Sequence, residues 1–169
     1  MTPQTDFDAR YSDPEATASS WDEAAAALAA AELSWITTVR PDGRPHVTPL
    51  ITVMHEGTVH FCTGPQERKA RNLATNPAVV LITGTNALHS GMDLILEGRA
   101  ERVTDEATLR ALAGAWVDKY GDEWRFDVRD DVFLSPGTDS EGWVYAVRAT
   151  TAYGFGKAPC SQTRWRFTS

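Results

Sequence analysis

Apolar positions along the chain change period several times, and the changes mark out its elements. Residues 1–19 are polar with no sustained period, which predicts a flexible arm ahead of a single domain spanning 20–169. Ser20 and Glu23 then have capping-box spacing, in which each side chain satisfies a free amide of the other's turn. The run that follows, WDEAAAALAAAEL, is rich in strong helix formers and predicts a helix to about Leu33.

From there the pattern becomes β. SWITTVR and HVTPLITVMH carry β-branched and aromatic residues on either side of PDGR, where Gly43 can take positive φ, and a second turn at Glu56-Gly57 leads into TVHFCT. A three-strand meander is the expectation. Gly64-Pro65 ends it, and Gln66–Thr75 reads as a short helix stopped at Asn76-Pro77, because proline disfavours helical geometry in the residue before it. AVVLITG and MDLILEGRAERV predict two further strands, Thr104 caps a helix to Tyr120, and a looser segment separates that helix from WVYAVRA and TAYGFG. With about seven strands, three peripheral helices and no regular βαβ alternation, the expected fold is mostly β (α+β), an antiparallel barrel.

Charge narrows the function. The 169 residues carry a formal net charge of -7, which argues against the broad basic face needed to grip nucleic acid. No apolar run approaches the ~20 residues of a bilayer span, and the acidic N-terminus lacks a signal peptide's basic start. A cytoplasmic protein with no membrane partner is expected. Cys62 and Cys160 stand far apart without CxxC spacing, so they predict neither a zinc site nor a disulfide framework. Cys62 reads as a small core residue in an apolar strand. His46, His55, His60 and His89 have no ligand-like spacing and read as ordinary polar or half-buried side chains, so no metal is expected. Gly154-Phe155-Gly156 lacks the third glycine and the following helix of a dinucleotide loop. Trp35, Trp116, Trp124 and Trp143 read as core or dimer packing.

One local basic cluster stands out. In GPQERKARNL a turn delivers the strand ending at Thr63 to the first turn of a helix, where free amides favour an anion, and Arg68 and Lys69 add charged donors. The alternative is a solvated helix face.

The order ITTVRPDGRPHVTPLITVMHEGTVHFCTGPQERKARNLATNPAVVLI resembles the core of the pyridoxamine 5'-phosphate oxidase-like family of split β-barrel flavin and deazaflavin oxidoreductases. The ending YGFGKAPCSQTRWRF is similar to the C-terminus of one actinobacterial branch, with Pro159-Cys160 where that branch more typically has a bulkier aromatic. The resemblance implies a homodimer of split barrels with cofactor sites at the interface. It puts Thr63, Gln66, Arg68, Lys69 and Asn72 at the cofactor phosphate. Val47, Thr48, Pro49 and Leu50 fall on the strand whose backbone lies along the ring. Gln162, Arg164 and Trp165 fall on a C-terminal segment that approaches the site, from the same chain or from the partner subunit.

What this implies is an oxidoreductase moving a hydride between reduced F420 or FMN and an activated double bond or a quinone-like small molecule, with the protein supplying orientation and water exclusion rather than a nucleophile. The deazaflavin is preferred here if Arg71, Arg44, Lys157 and Arg164 continue a basic path for its anionic tail. Two alternatives stand beside it: an FMN-dependent oxidase of the pyridoxamine-phosphate type, and a non-catalytic flavin or haem carrier.

Overall fold

The computed structural model describes residues 2–138 and 140–168. Strand β1 (Gln4–Phe7) and a 3-10 turn at Ala9–Tyr11 precede helix α1 (Trp21–Ala30). Strands β2 (Ser34–Val39), β3 (Pro45–Leu50), β4 (Val53–His55) and β5 (Thr58–Thr63) lead to α2 (Arg68–Leu73). Next come β6 (Ala78–Thr83), β7 (Met92–Arg102) and α3 (Glu106–Tyr120), then β8 (Asp127–Arg129), β9 (Val132–Leu134), β10 (Glu141–Lys157) and β11 (Cys160–Arg166).

The sheet runs β3-β2-β6-β7-β10 and then forks. Along the first half of β10, Trp143–Val147 pair with β5, and after a register shift between Ala149 and Thr151 the second half pairs with β11. A bulge of this kind bends the strand and raises its twist, so one long strand serves two half-barrels. The expected antiparallel split barrel is the observed fold. Among the described residues β3 has a strand partner on one side only.

The N-terminus of α1 follows the sequence reading, with both halves of the Ser20–Glu23 capping box formed. The helix stops at Ala30, a few residues short of the expected end. Asp105 rather than Thr104 caps α3, accepting the Thr108 N–H at 2.8 Å.

Other expectations change more. The stretch 46–55 is not one strand: β3 pairs with β2 while β4 pairs with β5, so the meander folds over a corner at Ile51-Thr52. The corner is held from outside the sheet. The Lys119 ammonium donates to the Thr52 carbonyl at 2.7 Å, and the Tyr120 hydroxyl accepts the Thr52 N–H at 3.2 Å. The segment expected as a flexible arm forms β1, paired along β11 with Asp6 opposite Arg164. The looser segment after α3 contains the β8-β9 hairpin, turned at Asp130 with φ +53°. β11 adds a strand where only a C-terminal segment was expected.

Two apolar clusters fill the fold. In the first, Ala24 and Leu28 of α1 cover Ile36, Phe61, Leu81, Leu96 and Trp165. In the second, Leu109, Leu112 and Trp116 of α3 meet Phe126 and Phe133, whose rings stack at 4.8 Å. The unexpected hairpin thus has a packing role: its Phe133 is fully buried beneath α3.

Candidate functional site

Strand parity builds the site. On β3, Val47 and Pro49 are exposed while His46, Thr48 and Leu50 are half-buried, on the side of β2 that buries Ser34, Ile36 and Thr38. α2 packs over this side and buries Lys69, Asn72 and Leu73. The end of β5 brings in buried Thr63.

The polar groups gathered here are conspicuously short of partners. Arg40 Nε, His46 Nδ1, Thr48 Oγ1, Thr63 Oγ1 and Asn72 Oδ1 are buried atoms with no hydrogen-bond partner among the described residues. Asn72 uses only its amide, donating to Thr38 Oγ1 at 2.9 Å. Native interiors pair nearly all such atoms, so a concentration of them marks a place that is completed by something else. The charge is positive: burial first, then the charges of Arg40, Lys69 and Arg68, hold the His46 imidazole below its ordinary range. These groups fit a phosphate, with Lys69 and Arg68 as charged donors and the Thr63 and Thr48 hydroxyls as neutral ones.

One expectation about this turn is corrected. α2 has only six residues, and the Gly64 N–H before it is taken by Glu67 Oε1 at 2.9 Å. The helix is thus shorter than the expected Gln66–Thr75, and no side chain caps its N-terminus among the described residues. Glu67 Oε2 also accepts from Lys69 Nζ at 2.5 Å, which makes its carboxylate the counter-charge of that ammonium. Burial pushes that carboxyl up, but Lys69 and the Gly64 N–H outweigh it and hold it below the usual carboxylate range.

The twelve residues singled out by resemblance divide into groups. Thr63, Lys69 and Asn72 converge beneath β3, whose free edge carries the backbone of Val47, Thr48, Pro49 and Leu50; such an edge offers alternate N–H and C=O groups to a ligand. Arg68 and Gln66 stand exposed at its rim. Gln162, Arg164 and Trp165 do not join them within one chain, because β11 and β3 are separated in the sheet path by β10, β7, β6 and β2. Trp165 is moreover a core residue: it is fully buried against Trp21 at 5.6 Å, filling the space left by Gly154. Successive strand residues face opposite sides, so Trp165 cannot share a wall with Gln162 and Arg164. Of the cations offered as a path for an anionic tail, Arg44 is paired with Asp42, Arg164 with Asp6, and Lys157 with Asp93 and the carbonyls of Thr85 and Ala87.

Sequence reasoning missed Arg40, His46 and Glu67. The available signal was parity: His46 and Thr48 alternate on the strand face that Thr38 and Ile36 bury. Burial pushes the Cys62 thiol up to about 12, away from the thiolate form that a nucleophile uses. No helix of the described residues is long and apolar enough to cross a membrane.

A forked antiparallel sheet of this topology, with Arg40, Arg68 and Lys69 near His46 of β3, defines a split β-barrel. Residues 20–135 match the pyridoxamine 5'-phosphate oxidase family, and the chain belongs to that family. Among curated proteins none matches the chain by sequence. Similar solved structures include a heme binding protein from Mycobacterium smegmatis, at TM-score 0.69 and 17% identity over 88% of this chain and 58% of that one. A FAD binding protein from Mycobacterium smegmatis aligns at TM-score 0.56 and 24% identity over 89% of this chain and 100% of its own. An F420 reductase aligns at TM-score 0.56 and 23% identity over 75% and 93%. The chain spans little more than half the length of the heme binding protein.

Proposed function

We propose that the protein is a flavin-type oxidoreductase that holds a phosphate-bearing FMN or F420 and passes a hydride between it and an activated double bond or quinone-like small molecule. The observation that carries this reading is the cluster of unpartnered buried polar atoms and cations around Lys69, set beneath the free edge of β3. Thr63, Lys69, Asn72 and, at the rim, Arg68 would hold the phosphate, and the backbone of Val47 to Leu50 would lie along the ring. When bound, the cofactor supplies the hydride chemistry. The chain's part is to orient the ring and exclude water. Arg44, Lys157 and Arg164 each have a carboxylate partner, whereas Arg71 has none among the described residues, so the reading rests on the phosphate the two cofactors share.

A homodimer belongs to the same proposal. The outer face of β2, β3 and β6 exposes Trp35 at 47%, Val47 at 52% and Ile82 at 37%, and contiguous apolar surface of this kind favours a partner. Joining two copies there supplies the means for Gln162 and Arg164 of one chain to approach the β3 edge of the other. Trp35→Glu should convert the dimer to monomer in size-exclusion chromatography with light scattering; a monomeric wild type at micromolar concentration overturns this part.

Parallel titration of the apo-protein with FMN, FAD, F420 and haem tests the whole. Micromolar or tighter binding of FMN or F420, followed by anaerobic oxidation of the reduced cofactor by an enone or quinone, is the expected result. Haem binding with neither flavin bound would replace it with the carrier reading, and tight flavin binding with no turnover would leave a flavin carrier.

A further inference from the structure

A second cavity, of about 470 Å³, lies where β1, β10 and β11 meet under the Ala9–Tyr11 turn. Its volume falls within the usual range for small-molecule sites. Tyr153 and Phe155 form one wall, their rings nearly parallel at 6.5 Å with 20° between planes, and Phe7 also borders the cavity. Gln162 and Arg164 lie directly across the ladder from Phe155 and Tyr153. This wall presents flat apolar faces together with an amide and a phenol hydroxyl.

The charges around it are already matched. Asp6 Oδ2 holds Arg164 at 3.2 Å and Arg166 at 2.9 Å, and Asp8 holds Arg10 at 2.8 Å. The strand pairing that folds residues 4–7 onto β11 is what delivers Asp6 to both arginines. Without Asp6, Arg164 on the cavity wall would lose its carboxylate hydrogen-bond partner and become available to a carboxylate, sulfonate or phosphate. With it, an anion entering the cavity must displace a carboxylate or meet it.

We infer that this cavity binds a neutral, planar, conjugated carbonyl compound, and that Asp6 is the residue that excludes anionic ones. Ring faces stack against Tyr153 and Phe155, and the Gln162 amide is placed to donate to a carbonyl oxygen. The inference rests on the proposed function only for its interest in quinone-like molecules, because the cavity's chemistry is read from its own walls.

The test uses the cofactor-free full chain and two probes of one ring system, neutral 2-(hydroxymethyl)anthraquinone and anionic anthraquinone-2-sulfonate, followed by equilibrium dialysis. Wild type should bind the neutral probe at least tenfold more tightly. Asp6→Asn should shrink that gap at least fivefold, through a gain in sulfonate binding that fades as salt is raised. Phe155→Ala, checked for folding by circular dichroism, should weaken both probes alike. If Asp6→Asn does not fold, Arg164→Ala gives the complementary reading: it removes the latent cation, and the gap should persist or widen. An unchanged gap in folded Asp6→Asn, a narrowed gap in Arg164→Ala, equal binding of the two probes by wild type, or no binding of either overturns the inference. Because no cofactor is present, these outcomes are independent of the flavin titration, so either reading can fail alone.

Discussion

Two lysines, both almost buried and both beside a carboxylate, sit in regions of opposite character. Lys157, with 15% of its side chain exposed, donates to Asp93 at 2.8 Å and also to the carbonyls of Thr85 and Ala87, strapping the loop after β6 to the end of β10. All three of its donors are engaged. Lys69, with 11% exposed, has Glu67 as its one hydrogen-bond partner among the described residues, and it is ringed by orphaned hydroxyls and further cations. A buried ammonium with full partners is structure, whereas one left short of partners among like charges has donors to spare for the phosphate proposed above.

Exchanging each lysine for methionine breaks the comparison most strongly. Lys157→Met leaves two carbonyls and Asp93 without their donor and should cost about 1–3 kcal/mol in thermal or urea unfolding, with FMN or F420 affinity unchanged. Lys69→Met should do the reverse. Its methylene volume is kept and Glu67 can turn to water, so stability should hold while affinity falls by about 1–3 kcal/mol in a titration. Equal loss of affinity in both variants would end the distinction.

Histidine sharpens it at smaller amplitude. The His46 imidazole is held below its ordinary range by burial and by Arg40, Lys69 and Arg68, and a bound phosphate would oppose those charges and raise it. Binding therefore takes up a proton, and affinity should increase as pH falls from 8 to 6. A difference of about one pKa unit between free and bound states would give at most a tenfold change. His46→Gln should flatten the profile. His60, whose pKa burial has pushed down to about 4, takes up no proton in this window, which isolates the effect.

The smallest effect belongs to Arg68, which is exposed at the rim. Arg68→Ala should weaken binding by about 0.3–1 kcal/mol at low ionic strength, the range of solvent-exposed pairs, and the difference should vanish near 0.5 M salt. A loss that persists at high salt would mean that Arg68 reaches the phosphate in a desolvated contact rather than from the exposed rim.

These regions also mark how far sequence reading reaches. α1, the β2-β3 turn and β5 were legible because their signals are local: a capping box, a glycine with φ +84° at Gly43, and an alternating apolar run. The β8-β9 hairpin was not, since its strands are three residues each and sit among acidic turn residues, held by burial under α3 rather than by propensity. The arm became a strand for a similar reason, through pairing with residues more than 150 positions away. Within the candidate site, RKARNL announced Lys69 because charge is visible in a string of letters. The role of Glu67 as an internal counter-anion was not, and the resemblance carried Trp165 onto the wrong face because motif matching does not register strand parity.

The fork in β10 has a kinetic corollary. Its backbone is flanked by β7 on one side and by β5 and then β11 on the other, whereas β3 has β2 alone. Amide protons around Ala146 and Ala152 should therefore be among the last to exchange with deuterium, released only by opening of the whole barrel, while those of Val47 and Thr48 exchange through local fraying. The strand proposed to face the cofactor is thus the one least committed to the rest of the sheet, and it would gain the most protection when a ring lies along it.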